Sequence, residues 1–304
     1  MESRFRGCLL GLACGDAVGT AVEFMLKGSF EPVADMVGGG PFGLRPGEWT
    51  DDTSMALCLA VSLLKTGGFH PRDQMERYCR WREEGYLSSN GDCFDIGNTI
   101  RDALDRFRVT GEPYSGPTHS RSASNGSLMR LAPVPMYYVE DLEKVAHYSG
   151  ESSRTTHGAR EAVDTCRLFG VMLALALWGE SREDFLFHKP ATVIPLDDLT
   201  SSIASIAKGS YVDKSENEIS STGYVVHSLE AALWCFHQTY SFREAILTAT
   251  NLGGDSDTIA AICGQIAGTY YGVESIPGEW LSKLAHRELI ERVAVELYQK
   301  RERA

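Results

Sequence analysis

The sequence has no surplus of basic charge, no paired-cysteine motif, no long apolar run and almost no alternating strand pattern, and each absence argues against a class of protein. Its 29 Lys and Arg are outnumbered by 41 Asp and Glu, a formal charge of -12. General, phosphate-led nucleic-acid binding needs the opposite balance and is not expected. An anionic ligand would have to be neutralised by metal ions or backbone N–H groups instead. The eight cysteines, at positions 8, 14, 58, 79, 93, 166, 235 and 263, form no CxxC pair and no Cys/His cluster. That argues against a structural zinc site or a disulfide framework and fits reduced thiols in the cytoplasm. Near the N-terminus, Arg4 and Arg6 precede an apolar run over 8–14, which Asp16 soon interrupts. The run falls short of the about 20 residues of a membrane span, and no A-x-A site follows it. Neither a signal peptide nor membrane insertion is expected.

What is present is ordinary globular composition: 304 residues, 43% hydrophobic and 23% charged, enough to bury a large core without staples. Apolar residues recur at three- and four-residue spacing across 55–64, 75–81, 100–107, 162–178, 225–236, 259–271 and 289–298, which predicts helices. The best strand candidate, 191–194, is short. Turn signals such as Gly38-Gly39-Gly40-Pro41 and Ser89-Asn90-Gly91-Asp92 separate the periodic segments, and none is long enough to be a linker. The expectation is one all-α domain over residues 1–304, compact and multi-helical, with about a dozen helices. The first helix carries Gly7, Gly11, Gly15 and Gly19 at a strict spacing of four. Glycines so spaced share one helix face and admit a second backbone; each costs about 1 kcal/mol of helix propensity relative to Ala, so a close neighbour is expected there.

Chemistry concentrates in two similar segments. Glu48-Trp49-Thr50-Asp51-Asp52-Thr53 leads into one apolar helix, and Gly253-Gly254-Asp255-Ser256-Asp257-Thr258 into another. Helix capping accounts for one Asp or Thr at each start, but not for two carboxylates and a hydroxyl at both. If the two starts meet, they offer an oxygen-only ligand set suited to Mg²⁺ or Mn²⁺, with charge enough for two ions. Asp16 and Glu23 interrupt another apolar stretch. Glu23 reads either as a buried group orienting water or as a surface residue at a helix end. Asp95 reads as the cap of the helix over 100–107.

These segments carry a resemblance. Gly15-Asp16-Ala17-Val18-Gly19 with Glu23, Trp49-Thr50-Asp51-Asp52-Thr53, Phe94-Asp95-Ile96-Gly97-Asn98-Thr99, Ser124-Asn125-Gly126-Ser127-Leu128-Met129-Arg130, Thr155-Thr156-His157, Thr222-Gly223-Tyr224-Val225-Val226 and Leu252-Gly253-Gly254-Asp255-Ser256-Asp257-Thr258 occur in this order along nearly the whole chain. Together they resemble the ADP-ribosylglycohydrolases. The resemblance implies an all-α fold around two divalent cations, Mg²⁺ or Mn²⁺, held by Thr50, Asp51, Asp52, Asp255, Asp257 and Thr258, with Glu23 near the reacting sugar. It implies an ADP-ribosylated protein as substrate and ADP-ribose as product.

The remaining motifs suit that ligand. Asn125, Gly126 and Ser127 precede the apolar run 128–134, and amides at such a helix start would hold a pyrophosphate; a plain cap before a core helix is the alternative. Gly223 and Tyr224 offer a ring to stack on adenine or ribose, and His157 opens the helix over 158–178 as a ligand contact or a structural histidine. Asp95 resembles the aspartate of arginine-directed members and would meet a guanidinium in bidentate fashion. The expected reaction is hydrolysis of the bond from ribose to an arginine side chain, with Glu23 or Asp95 acting on the water or the leaving nitrogen. A serine, ester or polymer linkage, a non-catalytic ADP-ribose-binding relative and a phosphohydrolase acting on the pyrophosphate remain alternatives.

Overall fold

In the first helix, α1 (Glu2–Gly19), every residue from Gly7 to Gly19 is buried. A helix apolar all round belongs inside a core rather than on its surface. With the 3₁₀ turn after it, this segment (Glu2–Val22) is long and apolar enough by composition to cross a membrane, a correction to the expectation that no segment is. In the fold it is the central helix, with 89% of its apolar window covered by the rest of the chain.

The computed structural model describes residues 1–301, and the regular elements among them are helical. After α1 come α2 (Asp51–Thr66), α3 (Pro71–Glu84), α4 (Asn98–Thr110), α5 (Pro133–Tyr137), α6 (Leu142–Arg154) and α7 (Arg160–Trp178). The remainder are α8 (Pro190–Val193), α9 (Ser201–Ala207), α10 (Val225–Gln238), α11 (Phe242–Asn251), α12 (Ser256–Tyr271), α13 (Gly278–Lys283) and α14 (Arg287–Lys300). Two apolar runs differ from expectation. Residues 191–194 are not a strand, because Pro190 opens the single-turn helix α8. The run 128–134 is not one helix either: residues 126–130 are turns, and α5 begins only at Pro133. Proline suits the first position of a helix, where its missing N–H is no loss, and so fixes both starts.

The neighbour that the glycine stripe calls for is α12, lying antiparallel to α1. A Cβ on Gly7 would stand 2.1 Å from the Gly268 carbonyl oxygen, one on Gly11 2.3 Å from that of Gly264, and one on Gly15 2.1 Å from that of Ala260. At Gly19 it would meet the backbone of Asp257 at 2.5 Å. Only glycine allows backbones this close. The antiparallel register carries the end of α1, with Asp16, to the start of α12, with Asp255 and Asp257.

The start of α2 is then drawn to the same place. Both Asp16 oxygens accept bonds from it: Oδ1 from the Thr50 amide at 2.9 Å, and Oδ2 from the Thr53 amide and hydroxyl at 3.1 and 2.6 Å. Thr50 caps α2 through the Asp52 amide, and Gly67, in the left-handed conformation, ends it.

Candidate active site

The two acidic helix starts meet. The Thr258 hydroxyl donates to Asp52 Oδ1 at 3.2 Å across 206 positions of sequence. Asp16, Asp52 and Asp257 form one carboxylate group whose oxygens lie within 4.8 Å of one another; Glu23, Asp255 and Asp257 form a second. The two share Asp257. Asp51 faces the cleft above them beside Asp95, Asp255 and Thr258. Capping explains Thr50, whose oxygen accepts from the Asp52 amide. It does not explain Asp255, whose side chain makes no cap bond although it stands at the cap position of α12.

The electrostatics of this cluster are severe. Seven carboxylates (Asp16, Glu23, Asp51, Asp52, Asp95, Asp255 and Asp257) converge, and among the described residues none has an ion pair with Lys, Arg or His. The starts of α2 and α12 each contribute about half a positive charge, far too little to balance the cluster. Burial, followed by repulsion from Asp95, Asp255 and Asp16, pushes Glu23 up to about 9. Burial likewise raises Asp95 to about 7 and Asp16 to about 6, the latter held down by its bonds from Thr53 and Thr50. Asp51, Asp52 and Asp257 are driven well above the ordinary carboxylate range by burial and by their neighbours. Among the described residues three buried acceptors here, Glu23 Oε2, Asp52 Oδ2 and Asp257 Oδ1, have no donor. Unpaired buried oxygens and mutually repelling carboxylates are what hard cations satisfy, so the donor set fits divalent ions in an all-oxygen site.

Above the cluster opens a cleft of 320 Å³. Glu23, Asp51, Asp95, Asn125, Gly126, His157, Gly223, Asp255 and Thr258 line it, joined by Phe24, Asn98, Thr99, Ser124 and Met129. Glu23 is 3% exposed, so the surface reading of it is wrong. Asp95 does not cap α4; Gly97 stands at that position, and Asp95 takes a left-handed conformation at φ 60° that turns it into the cleft wall. Asn125 ties the two halves together: its side-chain amide donates to Asp255 Oδ2 and to the Ser228 hydroxyl at 2.8 Å, while its backbone amide donates to the Gly223 carbonyl at 3.1 Å. Asn125 and Gly126 do not open a helix; they enter a turn that Gln265 of α12 holds through the Met129 carbonyl at 2.7 Å. Ser127 turns inward and accepts from the Ser153 hydroxyl at 2.9 Å. Tyr224 lines a more open hollow with Arg121 and Glu161, joined to the cleft through Ser124 and Gly223. His157 is fully buried, and burial followed by the nearby Arg130 charge lowers its pKa well below the usual value, keeping the ring neutral.

Sequence reasoning did not find that Asp16 anchors the start of α2, and it did not single out Phe24. Asp16 holds its place through partners 34 and 37 positions away, beyond any local pattern. Phe24 has a positive φ of 62° and is 64% exposed at the cleft mouth, an arrangement its residue type does not announce.

The central helix pair thus sets a carboxylate floor beneath a cleft of 320 Å³ in an all-helical scaffold. The model of the ADP-ribosylglycohydrolase family matches residues 1–304, and the chain belongs to that family of glycosidic-bond hydrolases. It is 43% identical over 293 residues to the ADP-ribosylarginine hydrolase Tri1 of Serratia proteamaculans, covering 96% of this chain and 78% of the relative. It is 30% identical over 288 residues to the ADP-ribosyl-[dinitrogen reductase] glycohydrolase of Rhodospirillum rubrum, covering 93% and 91%. A solved structure described as an ADP-ribosylglycohydrolase-related protein complex superposes with a TM-score of 0.86 at 42% identity, covering 99% of this chain and 98% of that one.

Proposed function

We propose that this protein releases ADP-ribose from arginine side chains of a modified protein, with two divalent cations, Mg²⁺ or Mn²⁺, bound at the carboxylate cluster. The observation that carries the proposal is the pair of carboxylate groups sharing Asp257 beneath the cleft, together with a relative at 43% identity that is named for arginine-linked ADP-ribose. Asp52, Asp255 and Asp257, with Asp51, Thr50 and Thr258 around them, would hold the cations. Bound there, such ions supply charge that balances the cluster and polarise the oxygens of a ribose and a water. In this reading the backbone at Gly126 and the His157 side of the cleft would face the diphosphate, and Tyr224, in the adjoining hollow, would meet the adenine or ribose.

Asp95 and Glu23 divide the work at the reacting bond. Asp95, in the cleft wall, accepts hydrogen bonds from the guanidinium in the bound substrate and stabilises its charge as the C–N bond breaks. Glu23, over the floor, orients the water and takes its proton. The reacting carbon gains oxocarbenium character, which the surrounding carboxylates stabilise. Water adds to that carbon as its proton passes to Glu23 and from there to the departing arginine nitrogen, so that free ADP-ribose and an arginine guanidinium result. The eight unpaired thiols suit a reducing, cytoplasmic setting, and the family match along the full sequence supports a single domain.

The test is incubation with mono-ADP-ribosylated arginine with and without chelator, measuring free ADP-ribose. Release is expected only with Mg²⁺ or Mn²⁺, and Asp255→Ala should lower it at least about 100-fold while leaving the fold intact by circular dichroism. Undiminished release by that variant, or release of AMP instead of ADP-ribose, would overturn the proposal.

A further inference from the structure

A guanidinium is buried beneath the cleft without a carboxylate to meet it. Arg130 is 0% exposed, and among the described residues it has no ion pair. Its Nη1 donates to the Gly126 carbonyl at 2.9 Å, its Nη2 to the Thr156 hydroxyl at 2.7 Å, its Cζ lies 4.6 Å from the Tyr78 ring centroid, and among the described residues its Nε has no acceptor. An unpaired buried charge is costly to a fold, and packing alone does not account for it.

The bonds leading away from Arg130 have a fixed direction. A guanidinium only donates, so the Thr156 oxygen is an acceptor in this contact. Thr156 is itself fully buried, and its one hydroxyl proton has a single partner in reach among the described residues, His157 Nδ1 at 2.8 Å. Thr156 therefore donates to Nδ1. A neutral imidazole that accepts at Nδ1 carries its proton on Nε2, and Nε2 lies 3.0 Å from the Ser124 hydroxyl. Ser124 passes its own proton to the Thr99 hydroxyl at 3.1 Å, and Thr99 lines the cleft. Every link donates outward, from the buried charge toward the ligand. Hydrogen bonds aligned in one direction polarise one another.

We infer that Arg130 is a positioning residue for the anionic part of the ligand: through Thr156 it fixes His157 as the Nε2–H tautomer and aligns Ser124 and Thr99 as a chain of donors ending at the diphosphate of ADP-ribose. The identity of that anion rests on the function proposed above; the direction of the chain does not. The arrangement gives an acidic protein a source of positive potential on the phosphate side of its cleft, set apart from the carboxylate floor. It does so without a basic side chain that the carboxylates would capture.

The test separates the two layers. In protein labelled with ¹⁵N-histidine, the His157 ring, identified by its loss in His157→Gln, should show a protonated Nε2 and an accepting Nδ1 at neutral pH. In Arg130→Met the Nδ1-protonated form should appear and the affinity for ADP-ribose fall about tenfold, with Arg130→Lys restoring part of both. Thr156→Val should reproduce these changes and Thr156→Ser reverse them, which keeps the inference testable if Arg130→Met folds poorly. An Nδ1-protonated ring in the wild type, or a tautomer unmoved by both Arg130→Met and Thr156→Val, overturns the relay. A tautomer that shifts with no loss of ADP-ribose affinity overturns its endpoint. A wild-type protein with the expected tautomer but no affinity for ADP-ribose overturns the ligand reading instead and leaves the relay standing.

Discussion

At the scale of single residues, Asp95 separates charge from shape more cleanly than its neighbours. It sits at φ 60° in the cleft wall, a conformation that Asn and Asp tolerate better than other side chains. Asp95→Asn therefore keeps the backbone while removing the negative charge. A hydrogen bond to a charged partner is worth about 1.5–3 kcal/mol, so kcat/KM for arginine-linked ADP-ribose should fall by roughly 10- to 100-fold. Affinity for free ADP-ribose, which lacks the guanidinium, should change little. Equal losses in both measurements would mean that Asp95 holds the sugar or a cation rather than the leaving group. Asp51, Asp52, Asp255 and Asp257 were conspicuous in the sequence because carboxylates are doubled at two apolar helix starts. Asp16 was visible as an acid in an apolar run, but its attachment to Thr50 and Thr53 was not, since nothing within one turn of Asp16 specifies partners 34 and 37 positions on.

Among the elements, the α1–α12 pair determines where the acids stand. The glycine stripe was fully legible as a contact face. Its partner was not, because the matching small residues Ala260, Gly264 and Gly268 are shared with an apolar helix that reads as ordinary core. Helix positions followed from periodicity where the apolar face was long; α6 and α11 were not among the periodic segments, and the runs at Pro133 and Pro190 were misread because proline starts a short helix within each. Substituting the stripe tests the pair directly. In Gly11→Ala the new methyl would stand 2.3 Å from the Gly264 carbonyl oxygen, and neither helix backbone can yield without displacing the other. Overpacking of this kind costs about 1–3 kcal/mol, occasionally more. Urea denaturation should show that loss, and because separating the helices also moves Asp16 from Asp257, activity should fall by more than the unfolded fraction explains. Gly278→Ala, with open space around its added carbon, serves as the control and should be neutral. A Gly11→Ala protein as stable as the control would mean that the helices are not pressed together.

For the molecule as a whole, the buried carboxylates couple stability to pH and to cations. Without cations, Glu23 is raised from 4.5 to about 9, Asp95 from 3.8 to about 7 and Asp16 from 3.8 to about 6. Between the unfolded and folded values the native state binds more protons than the unfolded chain, so stability declines as pH rises through that window. In chelator, the melting temperature should therefore drop between pH 5.5 and 8.5. The neutral, buried His157 works in the opposite direction, since its folded pKa is lowered from 6.5, and its contribution lies mainly below that value. Comparing melts with and without Mg²⁺ or Mn²⁺ at each pH cancels it, because the histidine is present in both. A cation at 100 times its dissociation constant adds about 2.7 kcal/mol, but it must displace protons to bind. The stabilisation by cation should thus be small at pH 5.5 and grow steadily to pH 8.5. A difference that stays constant across this range would mean that the added ion binds elsewhere on this acidic surface, and that protons on the carboxylates, rather than metal, are what hold the floor of the cleft together.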